Sequence, residues 1–240
     1  MKNSLNYFIV RVSIFLIGIA LIAIYLYPFL KNSFLSNIYI NSSIIIALFF
    51  GLIYSILHIV NLDGDTKILN KFSKRVITPK LLKMNSTFIK MLGKELYQHG
   101  ERYTFISSGI DKTLEEIDIR LATIRETSKY LVGLLIFLGL LGTFWGLLNT
   151  IGSVGDVIAS LAVNDSNMLN FFDSLKQGLN EPLKGMSTAF SSSLFGLAGS
   201  LILGFVDLQM GQCQSIFLQN IEKFMRNNST AHLQSDSSNV

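Results

Sequence analysis

Residues 130–151 read YLVGLLIFLGLLGTFWGLLNTI and carry no charged side chain. As an α-helix this stretch is long enough to cross a bilayer, which takes about 20 residues. Three more stretches are similarly long and apolar, at residues 7–30, 38–60 and 186–206, and they contain one charged side chain, Arg11. The sequence therefore predicts an all-α, polytopic membrane protein with four transmembrane helices. We number them spans one to four in chain order, so that residues 130–151 are span three.

The composition of the whole chain agrees with this prediction and excludes other classes. Half of the 240 residues are hydrophobic, 15% are charged and the mean hydropathy is +0.45, whereas soluble domains carry about 25% charged residues. A disordered chain is excluded, and so is a disulfide scaffold, because Cys213 is the single cysteine. Span one follows Lys2 as a signal peptide would, but its apolar core is too long and no small-residue cleavage site follows it. We expect a retained helix.

The distribution of basic residues orients the four spans. Residues 61–129 contain thirteen Lys and Arg, whereas residues 31–37 contain one, and residues 152–185 contain two Lys against four Asp and Glu. Because cytoplasmic loops carry the excess of Lys and Arg, the segment between spans two and three is predicted to be cytoplasmic, together with both termini. The net charge of +4 is then a topology signal, which argues against nucleic-acid binding.

The helices of spans three and four are predicted to continue into the cytoplasm. Apolar residues recur at alternating steps of four and three from Ile110 through Ile117 and Leu121 to Leu131, without a Pro or Gly break. A similar spacing runs from Val206 to Phe224 after span four. An ordinary helical hairpin accounts for the same spacing.

These patterns predict four regions along the chain. Residues 1–61 form an N-terminal transmembrane hairpin, residues 62–129 a cytoplasmic helical segment, residues 130–227 the core, and residues 228–240 a Ser- and Asn-rich disordered tail. Within the core, an outer loop at residues 152–185 and a cytoplasmic helix at residues 207–227 flank span four. Part of the outer loop is amphipathic and predicts a short helix on the membrane surface, with apolar positions Leu169, Phe172, Leu175, Leu179 and Leu183.

Spans three and four differ from the first two spans in their small residues. Such residues let membrane helices approach each other closely, and helix contact alone accounts for most of the glycines. They recur at spacings of three and four: Gly139, Gly142 and Gly146 in span three, and Ala189, Ser192, Gly196 and Ser200 in span four.

Span four also carries six hydroxyl side chains: Ser187, Thr188, Ser191, Ser192, Ser193 and Ser200. Each can bond to a carbonyl one turn earlier in its own helix, or together they can form a polar lane for water, an ion or a partner's side chain. Neither span three nor span four contains Asp, Glu, His, Lys or Arg, although ion pathways normally use an ionisable group within the membrane. If the chain moves ions, another chain must supply the carboxylate.

The sequence gives no sign of catalysis. The three histidines, His58, His99 and His232, and the one cysteine are widely spread, and no metal-ligand spacing, phosphate-binding loop or nucleophile–base pairing occurs. We therefore expect no enzymatic activity, no metal and no cofactor.

Two segments resemble the MotA/TolQ/ExbB proton channel family. Residues 139–147, GLLGTFWGL, are similar to the G-L-(L/F)-G-T-V-W-G-(I/L) signature of the TolQ and ExbB subunits of ion-driven motors. Residues 185–204, GMSTAFSSSLFGLAGSLILG, resemble the last helix of the family. The resemblance covers roughly residues 85–225. The chain departs from TolQ and ExbB in having one additional N-terminal span, which makes four as in flagellar MotA.

This resemblance implies a homopentamer in the bacterial inner membrane, built around a single-span partner of the ExbD, TolR or MotB type whose Asp binds the ion. Such a complex couples an ion flow, with the proton as the expected ion, to mechanical work on the cell envelope. Spans three and four would face inward and the first two spans would face lipid. The small residues of spans three and four would then pack against the partner helices.

The resemblance also implies candidate ion-pathway residues. Thr143 matches the pore-facing threonine of the family, and Ser193 matches a threonine that relatives place three residues before a glycine, here Gly196. Thr188 falls where ExbB-type proteins carry a glutamate, so we take it as a third candidate. The simpler alternative for Thr143 is a bond from its hydroxyl to the carbonyl of Gly139.

Other functional classes stay open at this point. A structural membrane scaffold would keep the small-residue packing and give the hydroxyls no role in transport, and a membrane enzyme is a further alternative. The choice between H⁺ and Na⁺ is also open, because hydroxyl and carbonyl oxygens suit both ions.

Overall fold

The computed structural model describes residues 4–72, 87–94, 96–99, 102–161, 176 and 178–229. This part of the chain is almost entirely helical, which confirms the predicted class in its coarse form. Six helices and two short strands occur in it: α1 Ser4–Tyr25, α2 Tyr27–Ser36, α3 Ile38–Phe72, α4 Thr87–Lys94, β1 Leu96–His99, β2 Arg102–Phe105, α5 Ser107–Leu161 and α6 Asn180–Asn227.

Four of these helices, α1, α3, α5 and α6, are long and apolar enough to cross a membrane, as predicted. Their ends differ from the predicted ones. Span one was expected to run to residue 30, but α1 ends at Tyr25 and α2 begins at Tyr27 with Pro28 in its first turn. Proline starts helices well because it has no N–H to leave unpaired there. The boundary predicted at residue 61 falls inside α3, which continues to Phe72.

The two longest helices contain the predicted heptad patterns. Helix α5 has 55 residues and joins Ile110, Ile117 and Leu121 to span three without a break, and these three side chains are buried. Helix α6 has 48 residues and buries Met210 and Phe217 beyond span four in the same way. The predicted continuity of both spans with these segments is therefore confirmed, and their cytoplasmic location stays a prediction.

The structure also contains a short β-hairpin, which was not predicted. Strands β1 and β2 pair antiparallel with Leu96 opposite Phe105. The N–H of Phe105 donates to the Asn228 carbonyl (2.9 Å), and Phe105 also forms an isolated bridge with Ser229. The first two residues of the predicted disordered tail are thus held by the hairpin.

The predicted disordered tail and the predicted surface helix of the outer loop lie mostly outside the described residues. The remainder of the tail, residues 230–240, lies outside the described residues. Of the predicted surface helix in the outer loop, residues 169–175 also lie outside them, and Leu183 belongs to α6.

The chain forms two compact units. The first is built from Met1–Ile14, Ile53–Ser128 and Val206–Val240, and among its described side chains Ile117, Met210, Cys213, Phe217 and Ile221 are fully buried.

The second unit is built from Phe15–Leu52 and Lys129–Phe205. Its apolar core consists of Ile44, Leu131, Leu135 and Leu203. This unit contains all of span three and all of span four except Val206, and it therefore holds the predicted site.

Candidate functional site

The small residues of spans three and four meet each other within one chain. A Cβ built on Gly146 would lie 2.5 Å from the backbone nitrogen of Ala189, and one on Gly196 would lie 2.6 Å from the Cα of Gly139. Real Cβ atoms essentially never approach backbone atoms closer than 3.0 Å. Helices α5 and α6 therefore touch backbone to backbone along an antiparallel line, which we call the seam. Its members are Gly139, Gly142 and Gly146 of α5 with Gly185, Ala189, Ser192 and Gly196 of α6.

The seam shows what covers the predicted small-residue stripes inside the protomer. Six of the seven residues predicted to pack against partner helices face the other long helix of their own chain. The seventh, Ser200, is buried and donates its hydroxyl proton to the carbonyl of Leu197 (2.9 Å). Contact of these residues with a partner chain stays a prediction.

Most hydroxyl groups beside the seam bond to their own helix. Thr143 donates to the carbonyl of Leu140 (2.6 Å), and not to Gly139, the acceptor considered from sequence. Thr150 donates to Gly146 (2.9 Å) and Ser191 to Thr188 (3.1 Å). Such bonds satisfy a hydroxyl within one turn of the helix, so these groups need no partner chain to be stable in the membrane.

Two hydroxyls of span four instead take part in the hydrogen bonds that satisfy the carbonyl groups at the C-terminal end of α2. The last four carbonyls of a helix have no partner inside it, and in lipid every backbone polar group must be satisfied by the protein. Asn41 donates from Nδ2 to the carbonyls of Ser33 and Phe34, at 3.1 Å each. Ser192 donates to Asn41 Oδ1 (2.9 Å), and the Thr188 hydroxyl lies 3.1 Å from the Ser36 carbonyl. We call Asn41, Thr188 and Ser192 the clasp.

Sequence reasoning missed Asn41, although a signal was present. Asn41 is the one asparagine in the apolar run of span two, and its side chain is fully buried. A buried amide in an apolar setting is costly unless it is hydrogen-bonded, so a partner on another helix could have been expected. The identity of that partner, Ser192, required the structure.

The clasp leads to a first prediction. Asn41→Leu, of similar size, removes the bonds to two α2 carbonyls and leaves the Ser192 hydroxyl short of its acceptor. We expect a loss of about 2 kcal/mol in the free energy of unfolding, measured by thermal unfolding in detergent. The control is Ser42→Ala, because the neighbouring Ser42 hydroxyl makes no bond to a described residue; equal stability of the two variants would show that the clasp has no stabilising role.

The three predicted ion-pathway residues occupy different positions. Thr143 and Ser193 are both part-exposed at the edge of the seam, and the Cα of Ser193 lies 3.6 Å from a Cβ built on Gly139. Thr143 directly follows the seam residue Gly142, and Ser193 directly follows the seam residue Ser192, whereas Thr188 is buried in the clasp. Their role in ion passage stays a prediction.

A polar cavity opens in the second unit beyond the Gly146–Gly185 end of the seam, and we call it the outer cavity after the predicted outer loop that contributes to its lining. It has a volume of about 440 Å³ and is lined by Asp156, Glu181 and Lys184 together with Asn149, Ser153 and Thr188 among others. The Ser153 hydroxyl donates to the carbonyl of Asn149 (2.9 Å) and so presents only its lone pairs to other groups. Two carboxylates against one ammonium give the cavity an excess of negative charge, which attracts cations.

The first unit contains an ion pair between a buried carboxylate and a partly exposed guanidinium, which the sequence analysis also missed. Asp207, the residue directly after span four, is 6% exposed, and its Oδ2 lies 3.8 Å from Nε of Arg125. Neither Arg125 Nε nor Asp207 Oδ1 has a hydrogen-bond partner among the described residues. Gly211 makes room for the guanidinium, because a Cβ there would lie 2.6 Å from Arg125 Cζ. The available signal in the sequence was the position of Asp207 directly after the apolar residues of span four.

Comparison with known proteins adds no family assignment to this geometry. A scan against protein-family models finds no match, and a search of curated proteins finds none either. The resemblance to the MotA/TolQ/ExbB family therefore rests on the residues of spans three and four. The features of the structure that bear on function are the seam and the hydroxyl groups beside it.

Proposed function

We propose that the chain is the ion-conducting subunit of a motor complex in the bacterial inner membrane. The complex uses the ion-motive force, with the proton as the expected ion, to do mechanical work on the cell envelope. The chain acts as a homopentamer around a single-span partner that supplies an intramembrane Asp, and both termini are cytoplasmic. The chain itself needs no catalytic group, metal or cofactor.

One observation carries this proposal. Two part-exposed hydroxyls, Thr143 and Ser193, stand beside a backbone-to-backbone seam in two spans that contain no ionisable side chain. A polar but uncharged edge of this kind suits a carboxyl group that another chain brings into the membrane. A charged carboxylate is costly in an apolar environment and seeks polar groups, whereas a protonated one can pass apolar surface. Alternation between the two states can drive stepwise movement of the subunits around the partner.

Helix length supports the proposed topology. At about 1.5 Å per residue, α5 and α6 are about 80 Å and about 70 Å long, whereas the hydrocarbon core of a bilayer is about 30 Å thick. A large part of each helix must therefore lie outside the bilayer. The thirteen basic residues of 61–129 favour the cytoplasmic side for this part.

Burial supports the proposed arrangement of the spans. Within an 18-residue apolar segment of each span, the share of residues that are buried rises from 11% in span one to 44% in span four. Span one therefore has the most surface to offer lipid. The outer cavity with Asp156 and Glu181 would raise the local cation concentration at the outer end of the path.

A structural scaffold is the second candidate, and a specific observation favours it. Most hydroxyls of spans three and four bond within the protomer, and the clasp uses two of them to close α2. These groups would be needed for folding even in a chain that moves no ions. Ion flux decides between the two functions.

The deciding experiment is reconstitution of the chain with its co-purifying single-span partner in liposomes. Native mass spectrometry should show five copies of the chain. An imposed gradient should drive ion uptake, followed with a pH-sensitive dye and, in parallel, with a sodium-sensitive dye to identify the ion. A complex of the expected composition that passes neither ion would make the chain a scaffold.

Thr143→Val tests the path within this assay. The change is nearly isosteric and removes the hydroxyl, so the seam and the pentamer should persist. If Thr143 solvates the ion or the partner's carboxyl, the lost interaction costs about 1–3 kcal/mol, and flux should fall at least several-fold. Thr143→Ser should retain most of the flux. Wild-type flux in Thr143→Val would remove Thr143 from the path, and loss of the pentamer in both variants would assign it to packing.

A further inference from the structure

The hydroxyl groups of spans three and four differ in whether they can still donate a hydrogen bond. A hydroxyl has one proton and two lone pairs. Several groups have already given that proton to an acceptor of the same chain and present only lone pairs: Thr143, Thr150, Ser191, Ser192 and Ser200. The clasp residue Thr188 is in the same position, with two backbone carbonyls within 3.1 Å of its hydroxyl.

Ser193 is different. Its hydroxyl has no hydrogen-bond partner among the described residues, it is part-exposed, and it stands beside Gly139 in the seam. The Ser187 hydroxyl also has no hydrogen-bond partner among the described residues, but Ser187 is exposed at the outer end of span four. At the seam, the Ser193 hydroxyl can therefore still donate a hydrogen bond to another group. The Thr143 hydroxyl can only accept one, because it already donates to the Leu140 carbonyl.

We propose that Ser193 and Thr143 recognise opposite protonation states of one carboxyl group: Ser193 donates to the carboxylate, and Thr143 accepts from the protonated acid. This inference rests on the proposed function, because the carboxyl belongs to the single-span partner. A carboxylate is acceptor-only, whereas a protonated carboxyl carries an O–H donor. Each hydroxyl thus stabilises one state, and uptake or loss of a single proton transfers the carboxyl from one partner to the other.

Among the described residues of the second unit, no charged side chain lies within the spans, and α2 contributes Lys31, which is exposed. Spans three and four carry no ionisable residue, and in α3 the second unit contributes only Tyr39, which is 90% exposed. The nearest charged groups along α5 and α6 towards the outer side are Asp156, Glu181 and Lys184 of the outer cavity. The two hydroxyls are therefore the groups of this chain at the seam edge that distinguish the charged from the neutral carboxyl.

The test uses the full chain in liposomes and a synthetic transmembrane helix of Leu and Ala with one central Asp and a quencher. A matched helix carries Asn, which never ionises. The single tryptophan of the chain, Trp145, is two residues from Thr143 and 54% exposed, so quenching of its fluorescence reports binding. Binding of the Asp helix to the wild type should change with pH around one midpoint, and binding of the Asn helix should not.

The two substitutions should move this midpoint in opposite directions. Ser193→Ala removes the donor to the charged form, so the carboxyl pKa and the midpoint should rise by about one unit. Thr143→Val removes the acceptor for the protonated form, so the midpoint should fall by about half a unit. The conservative variants Ser193→Thr and Thr143→Ser should restore the wild-type midpoint. Ser191→Ala, which removes a buried hydroxyl already bonded to Thr188, should not move it.

One outcome would contradict the division between Ser193 and Thr143 alone, and another would contradict the proposed function as well. If the Asp helix binds but the two substitutions leave the midpoint unchanged or move it in the same direction, the division between Ser193 and Thr143 is wrong and the proposed function stands. If neither helix binds, or if the two helices bind alike at every pH, the chain does not recognise a carboxyl and the proposed function fails with the inference.

Discussion

Gly196→Ala should destabilise the protein by about 3 kcal/mol and sharply reduce the yield of assembled complex. The new Cβ would lie 2.6 Å from the Cα and 3.0 Å from the nitrogen of Gly139, and 2.8 Å from the Leu135 carbonyl oxygen. All three contacts are backbone atoms, which cannot rotate away as a side chain does. Helix α5 would have to move, and overpacking of this kind costs about 1–3 kcal/mol and sometimes more.

The same helix offers a matched control. Gly204 has nothing within 4 Å of a built Cβ, so Gly204→Ala adds the same methyl group to open space. Alanine is favoured over glycine in a helix by about 1 kcal/mol, so this variant should be as stable as the wild type or slightly more so. Thermal unfolding in detergent compares the two variants directly. Equal melting temperatures would mean that the seam does not require close backbone contact.

Removing one partner of the Arg125–Asp207 pair should have the second large effect. Arg125→Met leaves a carboxylate that is 8% exposed without its counter-charge. Breaking a buried pair costs about 3–5 kcal/mol, and we expect the lower end because the Nε–Oδ2 distance is 3.8 Å and the Arg125 side chain is 36% exposed. Asp207→Leu should cost less, since that partial exposure lets water solvate the remaining guanidinium.

The double variant distinguishes pairing from simple loss of side-chain contacts. Because a buried ion pair can be replaced by apolar residues with little loss, Arg125→Met with Asp207→Leu should be more stable than Arg125→Met alone. Chemical or thermal unfolding of the four proteins gives the interaction energy, expected at about 1–3 kcal/mol. Strictly additive effects would show that the two charges do not interact.

Several features of this protein follow from local pattern alone. The four spans could be predicted because an apolar run of about 20 residues has few stable alternatives to a membrane helix. Continuity of α5 from the heptads around Ile117 into span three could be predicted because neither Pro nor Gly interrupts them and their period is that of a helix. The close approach at Gly139, Gly142 and Gly146 could be expected because small residues at three- and four-residue spacing share one helix face.

Other features were decided by contacts between distant segments. Periodicity shows which face of a helix is small or polar, but not which surface covers that face. The stripes of spans three and four therefore read equally well as contacts to a partner chain, whereas the structure pairs them with each other inside the protomer. In the same way, Thr188 and Ser193 are five residues apart in span four but have different surroundings. The Thr188 hydroxyl lies beside the Ser36 carbonyl at the end of α2, whereas the Ser193 hydroxyl has no hydrogen-bond partner among the described residues.

Sequence patterns were thus enough to predict the membrane character, the number of spans, the long helices and the faces on which small and hydroxyl residues stand. These depend on hydropathy and helical period, which are local properties. The pairing of distant residues, in contrast, is visible only in the folded chain: Asn41 with Ser192, Arg125 with Asp207, and the hairpin residue Phe105 with the end of α6. Each of these pairs spans more than 80 residues of chain. In each, the packing of the helices brings a polar group beside a partner from a distant segment.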